Sequence, residues 1–175
     1  MSHPLHLAVA DAVERDLPTG FELIRDPACG GHQHLPLFIG RRKARDTRMC
    51  CVDLLVVSSG LVRVIVEIEE SGFLPTKICG KFLQATLADH FIHDRRPEAA
   101  LPYGPDVLFI QVLDGSRILK PGTKKDAQAE LIAEQVRELL PLRGISDYQL
   151  YFARGEHDHE ALASVGAVVS AALSR

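Results

Sequence analysis

Residues 51–69, CVDLLVVSSGLVRVIVEIE, constrain the fold more than any other stretch of the chain. Two β-branched runs flank SSG, and runs of this kind on either side of a turn signal pair as a β-hairpin. A three-residue loop with glycine in the left-handed position pairs Val57 with Leu61, which sets Asp53 opposite Ile65 and Cys51 opposite Glu67. Side chains opposite one another, or two apart on one strand, share a face. Asp53, Glu67 and Glu69 are therefore expected on one face, with Asp53 diagonal to Glu67. A two-residue loop would slip the register by one and turn Asp53 to the other side. Leu61 and Ile65 accompany the two glutamates, while Val62, Val64, Val66 and Ile68 line the opposite face. A strand that is apolar on both faces is a central strand, so its acidic end opens into a cleft and not along a free edge.

The remaining periodicities place helices on both sides of such a sheet. A helix is expected from His3 to Arg15, ended by LPTG, then strands at 21–27 and 35–40 around the loop 28–34. Pro75 suits the first turn of a helix running to His93, with Ile78, Phe82, Ala85 and Ala88 inward and Lys77, Lys81 and Gln84 on an adjacent polar stripe. DVLFIQVLD (106–114) reads as a strand covered on both faces, 124–140 as an amphipathic helix, 148–154 as a strand and 159–173 as a closing helix. The order α-β-β-β-β-α-β-α-β-α implies an α/β (α+β) fold, a central mixed β-sheet flanked by helices. The chain has 175 residues and no linker-like tract, so residues 1–175 are expected to form one domain.

A net charge of −3 excludes a global electrostatic pull toward nucleic acid or anionic membrane, so any such binding must come from a local patch. The opening residues lack a basic region, and Asp11 and Glu14 interrupt their apolar run, which is not a signal-peptide pattern. No segment approaches the ~20 apolar residues of a membrane span, so no membrane partner is expected. Cys29, Cys50, Cys51 and Cys79 are too few and too irregular for a disulfide framework; reduced thiols and a cytoplasmic location follow. The absence of a P-loop, GxGxxG or GxSxG disfavours nucleotide-fold and serine-hydrolase chemistry.

The acids at the strand end have a chemical use. Carboxylates at i and i+2 on a strand, roughly 6–7 Å apart, can lean toward one cation held at about 2.1 Å, and Asp53 closes a third side. Without a cation, clustered carboxylates raise one another's pKa. The plainer alternative is a strand that runs out into water. Asp53 argues against it, because an unpaired acid inside an apolar strand is costly.

Asp53, then Glu67-Ile68-Glu69 after a hairpin, then a helix, resembles the PD-(D/E)XK nuclease superfamily, the restriction-endonuclease-like fold with its αβββαβ core. The resemblance covers roughly residues 3–114, with the motif confined to 53–81. It implies that Asp53, Glu67 and Glu69 hold Mg²⁺ (or Mn²⁺) and that the enzyme cuts DNA, with a homodimer by analogy with restriction enzymes. Glu69 stands where the superfamily usually has lysine. Some members carry E-x-E there, which makes Glu69 a ligand or base; others move the lysine to the following helix, which nominates Lys77 or Lys81. An acid on the first helix often joins such sites, and Glu14 is the candidate. Gln84 matches half of a glutamine–tyrosine pair found in one branch, but Ala88 takes the tyrosine's place, so that branch is not supported.

RRKARDTR (41–48) gathers Arg41, Arg42, Lys43, Arg45 and Arg48 against a single acid, Asp46, just before the strand that carries Asp53. This is where a phosphate-contacting loop beside a nuclease cleft is needed, although a solvated loop has the same composition. No aromatic residue interleaves, so base stacking is not implied. Cys29, His32, His34, Cys50 and Cys51 match no common zinc spacing. His90 and His93 are read as the end of a helix, and His157 and His159 as the start of another. The sequence thus supports a Mg²⁺-dependent nuclease, a catalytically silent relative that binds nucleic acid or protein, or an unrelated α/β protein with a solvated strand end.

Overall fold

A computed structural model describes residues 3–70, 74–94, 96–118 and 124–174. Helix α1 (Pro4–Arg15) leads into β1 (Glu22–Arg25), a 3₁₀ turn at Pro27–Cys29, β2 (Leu35–Phe38) and β3 (Arg48–Val52). The central hairpin is β4 (Leu54–Ser58) and β5 (Leu61–Glu69), followed by α2 (Pro75–Leu87), β6 (His90–His93) and β7 (Arg96–Asp114). A short α3 (Gly115–Ile118), α4 (Lys125–Glu138), β8 (Ile145–Ala153) and α5 (His159–Leu173) complete the chain. The strands form one mixed sheet in the order β1-β4-β5-β7-β6-β2-β3, and β8 pairs with β7 as well. Strand β7 carries β6 antiparallel along its first half, and β5 and β8 parallel along its second. The mixed sheet flanked by helices is the architecture the element order implies.

Both faces of the sheet are covered. Helices α1 and α5 pack Val9, Val13, Val165 and Val169 against Val56, Val64 and Val66. On the other face, Phe82 of α2 and Ala133 and Val136 of α4 pack over Leu55, Ile65 and Phe109. Pro4 and Pro75 sit in the first turns of their helices, where a missing N–H costs nothing. Among the described residues no helix is long and apolar enough to cross a membrane.

The hairpin corrects the expected register in two steps. The turn has two residues, Ser59 and Gly60, both at positive φ, and Ser58 pairs with Leu61. Paired positive-φ residues form the tight turn whose twist matches a hairpin. Alone, that turn would rotate Asp53 to the opposite face. A β-bulge at Arg63 adds a second one-residue shift, because Val57 pairs with Val62 but Val56 pairs with Val64. Two shifts restore the parity, and Leu54 faces Val66. Val62 consequently packs with Ile65 and Phe109, on the face opposite Val64 and Val66. The chain also kinks at Asp53, between β3 and β4, where its N–H donates to Val66 O and its carbonyl accepts from Asp26 N.

Helix α2 ends at Leu87, not at His93. Ala88 is extended, Asp89 N donates to Phe38 O, and His90 and His93 belong to β6. Pairing of β6 with β2 and β7 outweighs the local helical periodicity.

Two glycines predict opposite outcomes. A Cβ on Gly31 would lie 1.8 Å from Arg25 O and 2.4 Å from Arg25 C, so Gly31→Ala must displace the loop that folds back on β1. The expected cost is about 1–3 kcal/mol. A Cβ on Gly80, inside α2, meets nothing within 4 Å. Gly80→Ala is expected to stabilise by about 0.5–1 kcal/mol. Thermal or urea unfolding of the two variants checks both signs.

Candidate functional site

Past Ile65, Val66 and Ile68 stay in the core under α1, while the alternate side chains of β5, Glu67 and Glu69, meet charged groups. Glu67 and Glu69 point toward α2. Lys81 Nζ lies 3.2 and 3.3 Å from the two Glu67 carboxylate oxygens, and Lys77 Nζ lies 3.2 Å from Glu69 Oε2. The four-residue spacing of the lysines matches one helical turn, while the two-residue spacing of the glutamates matches the strand repeat. Glu70, one residue on, turns toward α1. Its Oε1 accepts from Leu5 N at 2.9 Å, and its two oxygens lie 3.3 and 3.4 Å from Nδ1 of His6 and His3. Asp53 sits between these groups. Its Oδ2 accepts from Ile68 N at 2.7 Å, its carboxyl hydrogen-bonds that of Glu67, and Oδ1 is 3.8 Å from His6 Nε2.

Burial dominates the electrostatics. Glu67 is only 5 % exposed, and its carboxyl is pushed well above the ordinary range by desolvation, then by the neighbouring Asp53 charge, with Lys81 opposing. Desolvation also raises Asp53, while the Ile68 N–H and His6 pull it back. Two neighbouring carboxyls shielded from water cannot both ionise cheaply, which is the direction in which both are pushed. Burial alone would lower Lys81, but the charge and hydrogen bonding of Glu67 outweigh it and hold the amine above its usual value. Burial, then the Glu67 charge, pushes the Cys50 thiol up to about 12, so it remains protonated and unreactive at neutral pH.

A cavity of about 10 Å³, room for one water-sized occupant, adjoins this cluster between β5, β7 and α2. Glu67, Glu69, Lys77, Lys81 and Gln111 line its polar side. Gln111 pairs with Glu67 across the parallel strands, and its Oε1 accepts from the Tyr148 hydroxyl at 2.6 Å.

The structure brings Asp53, Glu67 and Lys81 together. Glu69 and Lys77 form a second pair toward the cavity mouth, and the oxygens of the three acids do not all fall within 4.8 Å of one another. Glu14 takes no part, because its Oε2 accepts from Arg25 Nη2 at 2.6 Å. Of the basic run, Lys43, Arg45 and Arg48 line an open groove of about 640 Å³ between the loop and the β2–β3 edge. Arg42 pairs with Asp46, and Arg41 is exposed outside the groove lining. Cys51 also lines the groove; burial raises its thiol, Arg48 and Lys81 lower it, and Glu67 raises it. Cys29, His32, His34, Cys50 and Cys51 do not gather to ligand distances of one another, and the four cysteines are free.

Sequence reasoning missed His3, His6, Glu70 and Gln111. Gln111 is a lone amide in an apolar strand, and His3 and His6 stand at i, i+3, one helical turn apart; both are visible patterns, but only the fold shows what they approach. Comparison of the chain with protein-family models, curated proteins and solved structures finds no match.

Proposed function

We propose that the protein is a Mg²⁺- or Mn²⁺-dependent nuclease of restriction-endonuclease-like fold that cuts DNA phosphodiester bonds. The observation that carries this reading is the Asp53–Glu67 carboxyl pair, Glu67 buried and Asp53 partly so, with Lys81 Nζ 3.2 Å from Glu67. Two carboxylates that repel when both are ionised fit a hard divalent cation, whose charge would offset that repulsion. Asp53 and Glu67 would hold that ion, which supplies an acidified water and charge neutralisation at phosphate. Lys81 balances the charge of Glu67 and is placed to hold a phosphate oxygen. Lys77 and Glu69 flank the opening of the cavity, where Glu69 is the carboxylate able to orient a water. Lys43, Arg45 and Arg48 supply backbone contacts that position the strand without reading sequence.

A second reading is a catalytically silent binding module, favoured by the Lys81–Glu67 and Lys77–Glu69 ion pairs, which already neutralise two of the acids. Incubation with plasmid, linear duplex and single-stranded DNA separates the two. The nuclease reading expects cleavage with Mg²⁺ or Mn²⁺, none with chelator, and none by Asp53→Ala with an unchanged circular dichroism spectrum. Cleavage by that variant removes the nuclease assignment. Salt-sensitive binding of every substrate without turnover selects the module.

A further inference from the structure

His6 is the most unusual side chain outside the acid pair. It lies on the inner face of α1 with its side chain 91 % buried, and its Nδ1 has no hydrogen-bond partner. A buried ring nitrogen without a partner forfeits its hydration with no return, so something must offset that cost. Around it stand His3 and Glu70. His6 Nδ1 to Glu70 Oε1 is 3.3 Å and His3 Nδ1 to Glu70 Oε2 is 3.4 Å, yet the His6 contact does not have hydrogen-bond geometry. The two rings meet edge-on with centroids 5.1 Å apart. One donor atom from each residue lies within 4.8 Å of the others. Two donors held about 2.0–2.1 Å from one ion at a tetrahedral angle are roughly 3.4 Å apart, and each histidine Nδ1 lies at about that spacing from one of the two oxygens of the Glu70 carboxylate.

We propose that His3, His6 and Glu70 form a binding site for an imidazole-preferring divalent transition metal of the Zn²⁺ class, separate from the carboxylate pair. Two imidazoles and one carboxylate select such an ion over Mg²⁺, which prefers all-oxygen surroundings. Three protein ligands leave a fourth position for water, the arrangement of an open zinc site. Ligation through Nδ1 places the remaining proton of His6 on Nε2, which faces Asp53 Oδ1 at 3.8 Å. At that distance Asp53 is beyond hydrogen-bond range, and its other oxygen accepts from Ile68 N, so the three ligands stand without Asp53. Glu70 has a second task, because it accepts from Leu5 N and thereby satisfies an orphan donor at the start of α1. The site thus pins the first turn of α1 to the end of β5.

The untagged full chain, stripped with chelator, is titrated with Co²⁺ alone and Zn²⁺ alone. One equivalent of Co²⁺ is expected to give the visible absorption of a four-coordinate nitrogen–oxygen site, and Zn²⁺ to displace it. His3→Ala and Glu70→Gln each weaken binding by roughly 100-fold or more, since loss of a direct ligand exceeds the 10–100-fold loss typical of an outer partner. His3 is half-exposed, so its variant folds even if loss of the Glu70 cap unsettles α1. Glu67→Gln keeps the absorption, which separates this site from the carboxylate pair. Absence of the band at stoichiometric Co²⁺, a band unchanged in both ligand variants, or its loss in Glu67→Gln overturns the proposal.

Discussion

Phe82→Ala is expected to destabilise the protein by about 3–5 kcal/mol, the range for removing a fully packed aromatic ring. Phe82 is buried on α2 and meets two other rings edge-on, Phe109 at 5.7 Å and Tyr148 at 5.5 Å between centroids. Phe109 and Tyr148 stack on one another from neighbouring strands, β7 and β8, so the three rings join the helix to the centre of the sheet. Edge-to-face pairs of this kind add about 0.5–1.5 kcal/mol beyond area burial. For a chain of this length each 1 kcal/mol shifts the melting temperature by roughly 2–4 °C, so a loss of at least 6 °C is expected in a thermal scan. The effect reaches the site because Lys81 is the preceding residue on α2 and its distance from Glu67 depends on how that helix is seated. Phe82→Leu retains most of the buried area, and its melting temperature should fall by less than half as much. Equal losses in the two variants would show that the ring contacts do not anchor α2.

The parts of this fold legible in the sequence are those set by local periodicity. Helices α1 and α5, the central hairpin and the burial of β5 on both faces follow from apolar spacing, and so does the placement of Glu67 and Glu69 toward the lysines of α2. The turn was not legible, because SSG serves equally as a three-residue loop or as a two-residue turn preceded by an ordinary serine. Its choice rests on Ser59 accepting φ of 50°, a strain that only the paired strands repay. The bulge at Arg63 left no mark either, since one polar residue among valines is what alternation already predicts. The first half of β7 was hidden by Pro97 and Pro102, residues that usually argue against a strand. The end of α2 depends on pairing with β2, some fifty residues earlier in the chain, which no local window contains. The surroundings of His6 were invisible for the same reason: a histidine pair one helical turn apart shows its neighbour Glu70 only once α1 is packed against the end of β5.

Glu67→Gln should raise the stability of the metal-free protein at alkaline pH and, on the proposed nuclease reading, abolish any Mg²⁺ response and DNA cleavage. The sign follows from proton linkage. A carboxyl held above its unfolded pKa of about 4.3 keeps its proton in the folded chain after the unfolded chain has lost it. Its contribution is therefore most favourable below the unfolded value, declines as pH rises through the folded value, and stays low beyond it. Burial and the adjacent charge of Asp53 push Glu67 in that direction, and burial pushes Asp53 the same way. The metal-free wild type should thus lose stability between the acid range and pH 8. An uncharged amide at position 67 donates to the Asp53 carboxylate at every pH, so Asp53 no longer faces a like charge. Lys81 loses its partner, but its side chain is 40 % exposed and turns to water at little cost. A gain on the order of 1–2 kcal/mol at pH 8 is expected, comparable to the desolvation penalty of one unsatisfied buried group. Saturating Mg²⁺ should close the gap from the wild-type side, because an ion bound only by the folded chain adds its binding free energy to stability. Urea titrations at pH 5 and pH 8, with and without Mg²⁺, measure all four corners. A variant no more stable than wild type at pH 8 would mean that the two carboxyls are not in conflict, and a wild type indifferent to Mg²⁺ would mean that the conflict has no cation to resolve it.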